Sequence, residues 1–428
     1  MALTSLFTAV SGMNANGTAL SVIGDNVANM NTTGFKTSRA AFADILAQQV
    51  GEGQIGRGVR MNSVSPTFTQ GTFENTANVL DLAVDGEGMF IMEDSSGTYY
   101  SRAGQFSIDK DGFVVNPSSQ RLQGYLFNQS GTATSGLGDI NLSSLNSAPT
   151  ATTDITIAAN LDSRESIPVA AFDVNDPNNT SNFSSSITIY DSLGNSHVVD
   201  IYFRKSVELP TGNTWQWYTV VGSTDTFSGN TEVQANGTIT FNNNGYLDSE
   251  SPVTFPGGGF NFTGGAAANQ TIAFDFGTSI TTDGGAGQDG TVQYGSQSAT
   301  MFQNQDGYSS GALKNIVIDQ DGTMTGIFTN GQTRGVAQVA LAKFLAPHAL
   351  TKMGRNLFAE STNSGQPLIS IPGTSGTGTV LSNTLEQSNV DLAEEFVKLI
   401  LHQRGFQANS RMISTSDELM MELVNLKR

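Results

Sequence analysis

Apolar side chains recur at intervals of three and four residues near the C-terminal end of the chain, between residues 386 and 428. This spacing, in a stretch without proline, predicts a long amphipathic helix with a coiled-coil-like seam. Asn389 or Asp391 can cap its start, and Glu394 and Glu395 in its first turn complement the helix dipole. At about 1.5 Å per residue the helix reaches roughly 55–65 Å. We expect its apolar stripe to need a partner, because most helical stability comes from tertiary packing.

The first 30 residues carry the same spacing of apolar side chains. It predicts a second amphipathic helix, which we expect to end in the turn-forming run NMNTTGFK at residues 29–36. Gly17 and Gly24 interrupt the apolar stripe, and small residues there would let a neighbouring helix approach closely. Because the two helical ends enclose a middle of a different character, we expect the ends to pair and the middle to project from the paired stalk.

Between the two helices, short apolar runs alternate with turn-forming residues, a pattern typical of antiparallel β-hairpins. Three turns share one form: Ile108-DKDG, Phe241-NNNG and Ile318-DQDG. Their Asx side chains can cap a tight turn in which glycine takes a positive φ. Alternatively, the aspartates of the first and third turns can begin a calcium loop. The turn is favoured, because Gln120 and Asn330 stand where a calcium loop places its bidentate glutamate.

Glycine-rich passages divide the middle of the chain. PGGGFNFTGGAAANQ at residues 256–270 and TTDGGAGQDG at residues 281–290 are expected to be surface loops. Residues 41–50 are predicted to form a further short helix. The motif Gly51-x-Gly53-x-x-Gly56 follows it and formally matches a dinucleotide-binding fingerprint. We interpret this motif as a connector, since it does not follow a strand.

Composition excludes several classes of function. The net charge of −18 argues against nucleic acid or an anionic membrane as a partner. The absence of cysteine excludes disulfides and thiolate metal sites. No apolar run is long enough to predict membrane insertion. The N-terminal run lacks the basic region of a signal peptide, so we expect any export to proceed without a cleaved signal.

No set of residues predicts catalysis. His197, His348 and His402 lie far apart in the chain, and there is no cysteine to act as a nucleophile. We therefore predict a protein that is not an enzyme and that has no catalytic, cofactor-binding or metal site.

Several long stretches resemble the bacterial flagellar axial proteins of the rod and hook family, most closely the hook protein. They include LEQSNVDLAEEFVKLILHQRGFQANSRMISTSDELMMELVNLKR at residues 385–428, IGDNVANMNTTGFKTSRAAFADIL at 23–46, LDLAVDGEGMFIM at 80–92 and ITIYDSLGNSHVVDIYF at 187–203. The resemblance covers both ends and most of the middle, while residues 151–304 match only in patches.

The resemblance implies a mainly β fold with α-helical termini, in which discontinuous β domains are stacked on a paired terminal-helix, coiled-coil-like stalk. We expect it to divide into a terminal helical assembly domain of residues 1–30 and 386–428, an extended connector of residues 31–70, an inner β domain of residues 71–150 and 305–385, and an inserted outer β domain of residues 151–304.

The function that the resemblance implies is structural. Members of the family self-assemble into the flagellar hook, a curved tube that acts as a universal joint and transmits motor torque to the filament. The implied partners are further copies of the chain, the hook cap protein, the distal rod protein, the hook–filament junction protein and the flagellar type III export apparatus. The implied location is the hook of the flagellar basal body, outside the cell.

Twelve apolar residues of the two terminal helices form the predicted assembly interface: Leu3, Leu6, Val10, Met13, Leu20, Val27, Phe396, Leu399, Phe406, Ile413, Leu419 and Leu423. Two other functions remain open. One is a flagellar distal rod subunit, which shares the terminal signatures in a shorter chain. The other is a secreted adhesin-like β protein that its helical ends hold together as an oligomer.

Overall fold

A computed structural model of the chain describes residues 2–45, 49–50, 53–54, 56–128, 133–143 and 145–425. These residues form two compact units. Unit 1 comprises Met1–Leu145, Lys314–Ile327 and Thr333–Arg428, and unit 2 comprises Asn146–Leu313 and Phe328–Gln332.

Two long helices lie at the ends of the described chain. Helix α1 spans Ala2–Ala28 and helix α3 spans Leu392–Asn425, whereas α2 is a single turn at Pro177–Thr180 and a 3-10 turn covers Pro347–Ala349. Both predicted terminal helices are confirmed, and strands make up most of the remaining regular structure. The fold is therefore mainly β with α-helical termini. Within the described part of the chain, no helix combines the length and the apolar character that crossing a bilayer requires.

Thirty strands are described, most of them short, as expected for a chain rich in glycine and Asx residues. The first thirteen are β1 Ser38–Asp44, β2 Gln49–Val50, β3 Gly53–Gln54, β4 Val59–Pro66, β5 Phe73–Asn75, β6 Leu82–Asp85, β7 Met89–Asp94, β8 Gly97–Ser101, β9 Ser107–Ile108, β10 Val114–Val115, β11 Arg121–Phe127, β12 Ala133–Asp139 and β13 Asn146–Ser147. The next eight are β14 Asp154–Asn160, β15 Phe183–Tyr190, β16 Ser196–Leu209, β17 Gly212–Val221, β18 Glu232–Asn242, β19 Leu247–Glu250, β20 Ala273–Asp275 and β21 Ala299–Gln305. The last nine are β22 Gly311–Ile318, β23 Thr323–Phe328, β24 Thr333–Val339, β25 Leu341–Lys343, β26 Thr351–Gly354, β27 Leu357–Ala359, β28 Leu368–Ser370, β29 Thr379–Ser382 and β30 Thr384–Glu386.

Unit 1 contains an antiparallel sheet in the order β24-β11-β7-β8-β27-β26, with β12 also paired to β11 and β25 to β7. Two strands from near the C-terminal end pair with strands from early in the chain: β29 pairs with β6, and β30 pairs with β5. The segment just before α3 therefore lies beside strands β5 and β6. The backbone N–H of Gln387 continues this pairing by donating to the carbonyl of Thr72 at 2.8 Å.

Unit 2 is built around a five-stranded antiparallel meander, β15-β16-β17-β18-β19, and a three-stranded sheet in which β14 lies between β20 and β21. The period-two burial of these strands places alternate side chains in one core. The largest of the buried core residues are aromatic: Phe203, Trp215, Trp217, Phe241, Phe260 and Phe276.

The structure confirms the turn interpretation of the Asx-glycine motifs. The Oδ1 atom of Asp109 accepts hydrogen bonds from the backbone N–H groups of Asp111 at 2.9 Å and Phe113 at 2.8 Å. Gly112 takes a φ of +83°. Asn242 caps the second turn in the same way, through the N–H groups of Asn244 and Tyr246.

Two local predictions are wrong. Residues 41–44 belong to strand β1, which pairs with β4 as a hairpin, so tertiary pairing overrides the helix propensity of this alanine-rich run. Residues 46–48, 51–52 and 55, including the first glycine of the fingerprint motif, lie outside the described residues.

The second wrong prediction concerns the passage 256–270. It is not only a surface loop, because its two phenylalanines, Phe260 and Phe262, are buried in the core of unit 2.

Candidate assembly surface

Helices α1 and α3 pack against each other in antiparallel orientation within unit 1. Near one end of the pair, Ser5 Oγ lies 3.4 Å from Ser416 Oγ. Near the other end, Asn26 Nδ2 donates to Glu395 Oε2 at 3.1 Å. Asn26, Glu395 and Ser416 are all buried. Polar side chains that satisfy one another thus fix both ends of the contact between the helices.

The middle of the contact is a reciprocal arrangement of glycine and asparagine. On α1, Asn16 Nδ2 donates to the carbonyl of Gly12 at 2.8 Å, and on α3, Asn409 Nδ2 donates to the carbonyl of Gly405 at 2.9 Å. Each asparagine packs against the glycine of the other helix: a β-carbon at Gly12 would lie 2.9 Å from the amide of Asn409, and one at Gly405 would lie 2.9 Å from Asn16 Oδ1. A β-carbon at either position would have to displace the asparagine amide of the other helix, so glycine allows the closest approach. His402 Nδ1 adds a contact to Asn16 Oδ1 at 2.9 Å.

We call these residues the intramolecular seam: Ser5, Gly12, Asn16 and Asn26 on α1 with Glu395, His402, Gly405, Asn409 and Ser416 on α3. On each helix the seam lies one residue before the predicted apolar row. One residue is a rotation of about 100° around an α-helix. The seam residues are small or polar, Ala9, Ala19 and Ile23 are buried on the same face of α1, and the predicted apolar rows lie beside this face. Gly17 and Gly24, which were expected to allow a close approach, face open space in the subunit.

The predicted interface residues are divided between half-buried and exposed positions. Half-buried members are Leu6, Val10, Met13, Leu20, Val27, Leu399 and Ile413. Exposed members are Phe396 at 51%, Phe406 at 37% and Leu419 at 58% of the full side-chain surface. The side chains of Leu3 and Leu423 lie outside the described residues. None of the described members is fully buried within the subunit, and their role in assembly stays a prediction.

The exposed apolar surface is wider than the predicted row. It includes further residues of both helices: Phe7, Val397, Ile400, Leu401, Met412, Met420 and Met421. Phe7 and Leu401 each expose 65% of their surface. The sequence carried a signal for these residues, because apolar pairs such as Ile400-Leu401 make α3 hydrophobic on more than one side. Large exposed apolar surfaces of this kind mark sites of association.

The start of α3 is anchored by two side chains with different tasks. Asp391 is the N-cap, since its Oδ1 accepts from the N–H groups of Ala393 at 2.8 Å and Glu394 at 3.2 Å. Asn389, the other cap candidate, instead joins the chain to the segments that surround β1 and β4. Its Oδ1 accepts from Thr37 N at 2.8 Å, and its Nδ2 donates to Thr69 Oγ1 at 2.7 Å.

A buried cluster of three charged residues lies next to this anchor, and no pattern in the sequence indicates it. Lys36 Nζ contacts Glu386 Oε1 at 2.6 Å, and Arg102 Nη1 contacts Glu386 Oε2 at 3.4 Å. We call these three residues the ionic cluster. The Lys36 and Glu386 side chains expose none of their surface, and Arg102 exposes 6%.

Carbonyl oxygens also accept hydrogen bonds from both cations of the cluster. Lys36 Nζ also donates to the carbonyl of Thr69 at 2.8 Å. Arg102 donates to the carbonyls of Val84 at 3.0 Å and Gly86 at 2.6 Å. Burial lowers the pKa of Lys36 and of Arg102, and the charge of Glu386 opposes that effect in both.

A metal site is the alternative that the grouping of the described side chains can test. No group of three or more His, Asp or Glu side chains among them could hold a metal ion. The aspartate of the first Asx turn already accepts backbone hydrogen bonds. What the surface presents is apolar area on two helices, fixed to a β body by buried polar contacts.

Four family models match the chain. They are the Flagella basal body rod protein model at residues 6–36, the Flagellar hook protein FlgE/F/G D1 domain at 83–163, the Flagellar basal body protein FlaE D2 domain at 160–308 and the Flagellar basal body rod FlgEFG protein C-terminal model at 381–426. The first and last of these matches cover most of α1 and α3.

Relatives match from end to end. The chain is 34% identical over 460 residues to the flagellar hook protein FlgE of Borreliella burgdorferi, covering 99% of each chain. It is 35% identical over 424 residues to the FlgE of Salmonella typhimurium, covering 98% of this chain and 99% of the relative. Among solved structures it is similar to the crystal structure of Helicobacter pylori flagellar hook protein FlgE2, with a TM-score of 0.47 and 14% identity over 72% of this chain and 98% of that one.

Proposed function

The chain belongs to the flagellar hook protein family, and from this premise we propose how its terminal helices build the hook. The protein is a structural subunit of the flagellar hook and lies outside the cell. Relatives that match over the full length favour the hook over the rod and over an adhesin. We infer that the subunit acts by assembly and carries no catalytic site.

The proposal is supported by the difference between two faces of the terminal helices, the intramolecular seam and the apolar rows. The intramolecular seam holds α1 to α3 with small and polar side chains, and the described members of the apolar rows beside it stay half-buried or exposed. Phe396 and Leu419 expose more than half of their surface in the isolated subunit. Covering each large apolar side chain contributes roughly 1.5–3 kcal/mol. The apolar rows therefore serve as contacts between subunits, and repetition of one such contact generates a helical tube.

The same surfaces make the helices depend on their neighbours. A helix pair that buries mainly small and polar side chains gains little from its own packing, so ordering it fully requires the apolar contacts that assembly supplies. In this way the chain ends are kept from a stable fold before incorporation and are held firmly afterwards. Residues 1–30 and 386–428 form this assembly domain. Residues 71–150 with 305–385 and the insertion 151–304 are the inner and outer β domains.

Further copies of the chain are the main partner. We also assign contacts with the hook cap protein during growth, with the distal rod protein at one end and with the hook–filament junction protein at the other. Delivery occurs through the flagellar export apparatus. The assembled tube works as a universal joint that transmits motor torque to the filament.

Replacing one exposed apolar residue by a charged one tests the assembly role. Phe396→Asp would bury an unpaired carboxylate at a subunit contact, which costs several kcal/mol per subunit. It leaves the isolated subunit folded, because Phe396 is half exposed there. We expect electron microscopy to show loss of hook tubes, with circular dichroism of the monomer unchanged.

The matched control is Phe396→Leu, which keeps an apolar side chain and should form normal tubes. Normal tubes from Phe396→Asp would show that this row makes no contact between subunits.

A further inference from the structure

The ionic cluster lies where both helical arms leave the β body of unit 1. Lys36 follows the end of α1 at Ala28, and Glu386 precedes the cap of α3 at Asp391. Arg102 belongs to the body itself, directly after strand β8. One carboxylate thus joins both exits to the body.

The backbone around the cluster leaves little room for displacement. The N–H of Gly34 donates to the carbonyl of Glu386 at 2.7 Å, and the N–H of Gly71 donates to Glu386 Oε1 at 2.9 Å. Gly34 has a φ of +68°, and a β-carbon there would lie 2.6 Å from the carbonyl carbon of Arg102. Both the side chain and the backbone of Glu386 are therefore held by the segment that leads out of α1.

Stability alone does not account for charges in this position. A buried ion pair is often no more stabilising than apolar residues of the same volume, because removing charges from water offsets their attraction. This cluster also carries one more positive than negative charge, which the carbonyls of Thr69, Val84 and Gly86 offset. Directional contacts of this kind differ from apolar packing in one respect: very few arrangements satisfy all of them.

Two further polar contacts continue the same connection along the helices. Asn389 joins the start of α3 to Thr37 and Thr69. Asn26 is hydrogen-bonded to Ser38 through both its amide and its carbonyl, at 3.0 and 2.9 Å, and also to Glu395 on α3. The helix pair and the residues that follow α1 are therefore linked by polar contacts at three successive levels.

We propose that Lys36, Arg102 and Glu386 are positioning residues that fix the orientation of the helical arms on the β body. The arms and the body then form a rigid connection that transmits force. The proposal rests on the proposed function of the chain as a hook subunit. The charges of the ionic cluster determine the geometry of the assembled tube, whereas the subunit can fold without these charges.

Two variants separate geometry from stability. Glu386→Gln leaves two buried cations without their counterion and should lower the melting temperature of unit 1 by about 10 °C. The triple variant Lys36→Met, Arg102→Met, Glu386→Leu removes all three charges together. It should melt close to the unchanged protein, because no charge is left unpaired.

The deciding readout is the tube formed by the triple variant in a flagellated host whose hook gene it replaces. We expect either tubes with a broadened distribution of curvature in electron micrographs and reduced torque on a bead attached to the filament, or a folded subunit that no longer assembles. Hooks of unchanged curvature and torque would overturn the proposal, and so would failure of the triple variant to fold, since the cluster would then be needed for stability. Failure of the unchanged chain to form tubes would instead contradict the proposed function.

Discussion

The core of unit 2 and the terminal helix pair use large apolar residues in opposite ways. In unit 2, Trp217 is almost fully buried and its ring lies 4.7 Å from Phe274 and 5.3 Å from Phe276. In the helix pair, Phe396 and Leu401 expose half or more of their surface, and the intramolecular seam consists of small and polar residues. Unit 2 therefore buries its large aromatic side chains in a core of its own, although Phe227 on its surface is 80% exposed. The exposed apolar side chains of the helices instead lie on the surfaces for which we propose contacts between subunits.

The net charge of unit 2 also differs from that of the rest of the chain. Unit 2 holds sixteen acidic and three basic residues, which account for −13 of the total net charge of −18. Its three cations are already engaged inside the unit: Arg164 with Asp162, Lys205 with Glu208, and Arg204 with the carbonyls of Pro168 and Ala170. The net negative charge of unit 2 therefore works against close approach between its copies.

The largest expected effect comes from truncating the core of unit 2. Trp217→Ala should destabilise unit 2 by about 3–5 kcal/mol, because it removes a buried aromatic side chain and leaves a cavity. Chemical denaturation followed by fluorescence of the remaining Trp215 would measure the loss.

The matched truncation in the helix pair is Leu401→Ala, which should leave the monomer within about 0.5 kcal/mol of its original stability. Equal losses from the two truncations would remove the distinction between the regions.

A smaller effect concerns pH. Burial raises the pKa of Glu250 in unit 2 to about 7, and the nearby carboxylates Asp283 and Asp275 add to the shift. Because the folded state favours the protonated form, the stability from this group is full below pH 4.5 and is lost as the pH rises through about 7. Glu250→Gln should therefore stabilise unit 2 by about 1–2 kcal/mol at pH 8, allowing for solvent screening.

At pH 4 the same substitution should change nothing, and Glu165→Gln, at an exposed site of the same unit, serves as the control. Thermal melts at the two pH values make the comparison. A stabilisation by Glu250→Gln that is the same at both values would show that the carboxyl group does not titrate between them.

Local features of the fold could be predicted from the sequence. The terminal helices follow from spacing within a few residues, and the turn at Asp109 follows from an aspartate and a glycine three positions apart. The burial of Phe260 and Phe262 could not be predicted, because the surrounding glycines indicate a loop whether the two aromatic rings are buried or exposed.

The candidate site was predictable in part. The apolar rows were visible, but which face of each helix meets the other depends on Gly12 and Gly405, and a row of small residues stands out less than a row of leucines. The ionic cluster left no pattern at all, because Arg102 and Glu386 are 284 residues apart in the chain. The pairing of β30 with β5 brings Glu386 close to Lys36.

Hydrogen exchange of the monomer and of the assembled tube, followed peptide by peptide with mass spectrometry, tests most directly whether the helices depend on neighbouring chains. Exchange rates report the local free energy of opening at each amide. We predict that amides of α1 and α3 exchange rapidly in a verified monomer and become protected in tubes, while amides of β16 and β17 are protected in both. Equal protection of α1 and α3 in the two states would contradict the account, because the helices would then be stable without their neighbours.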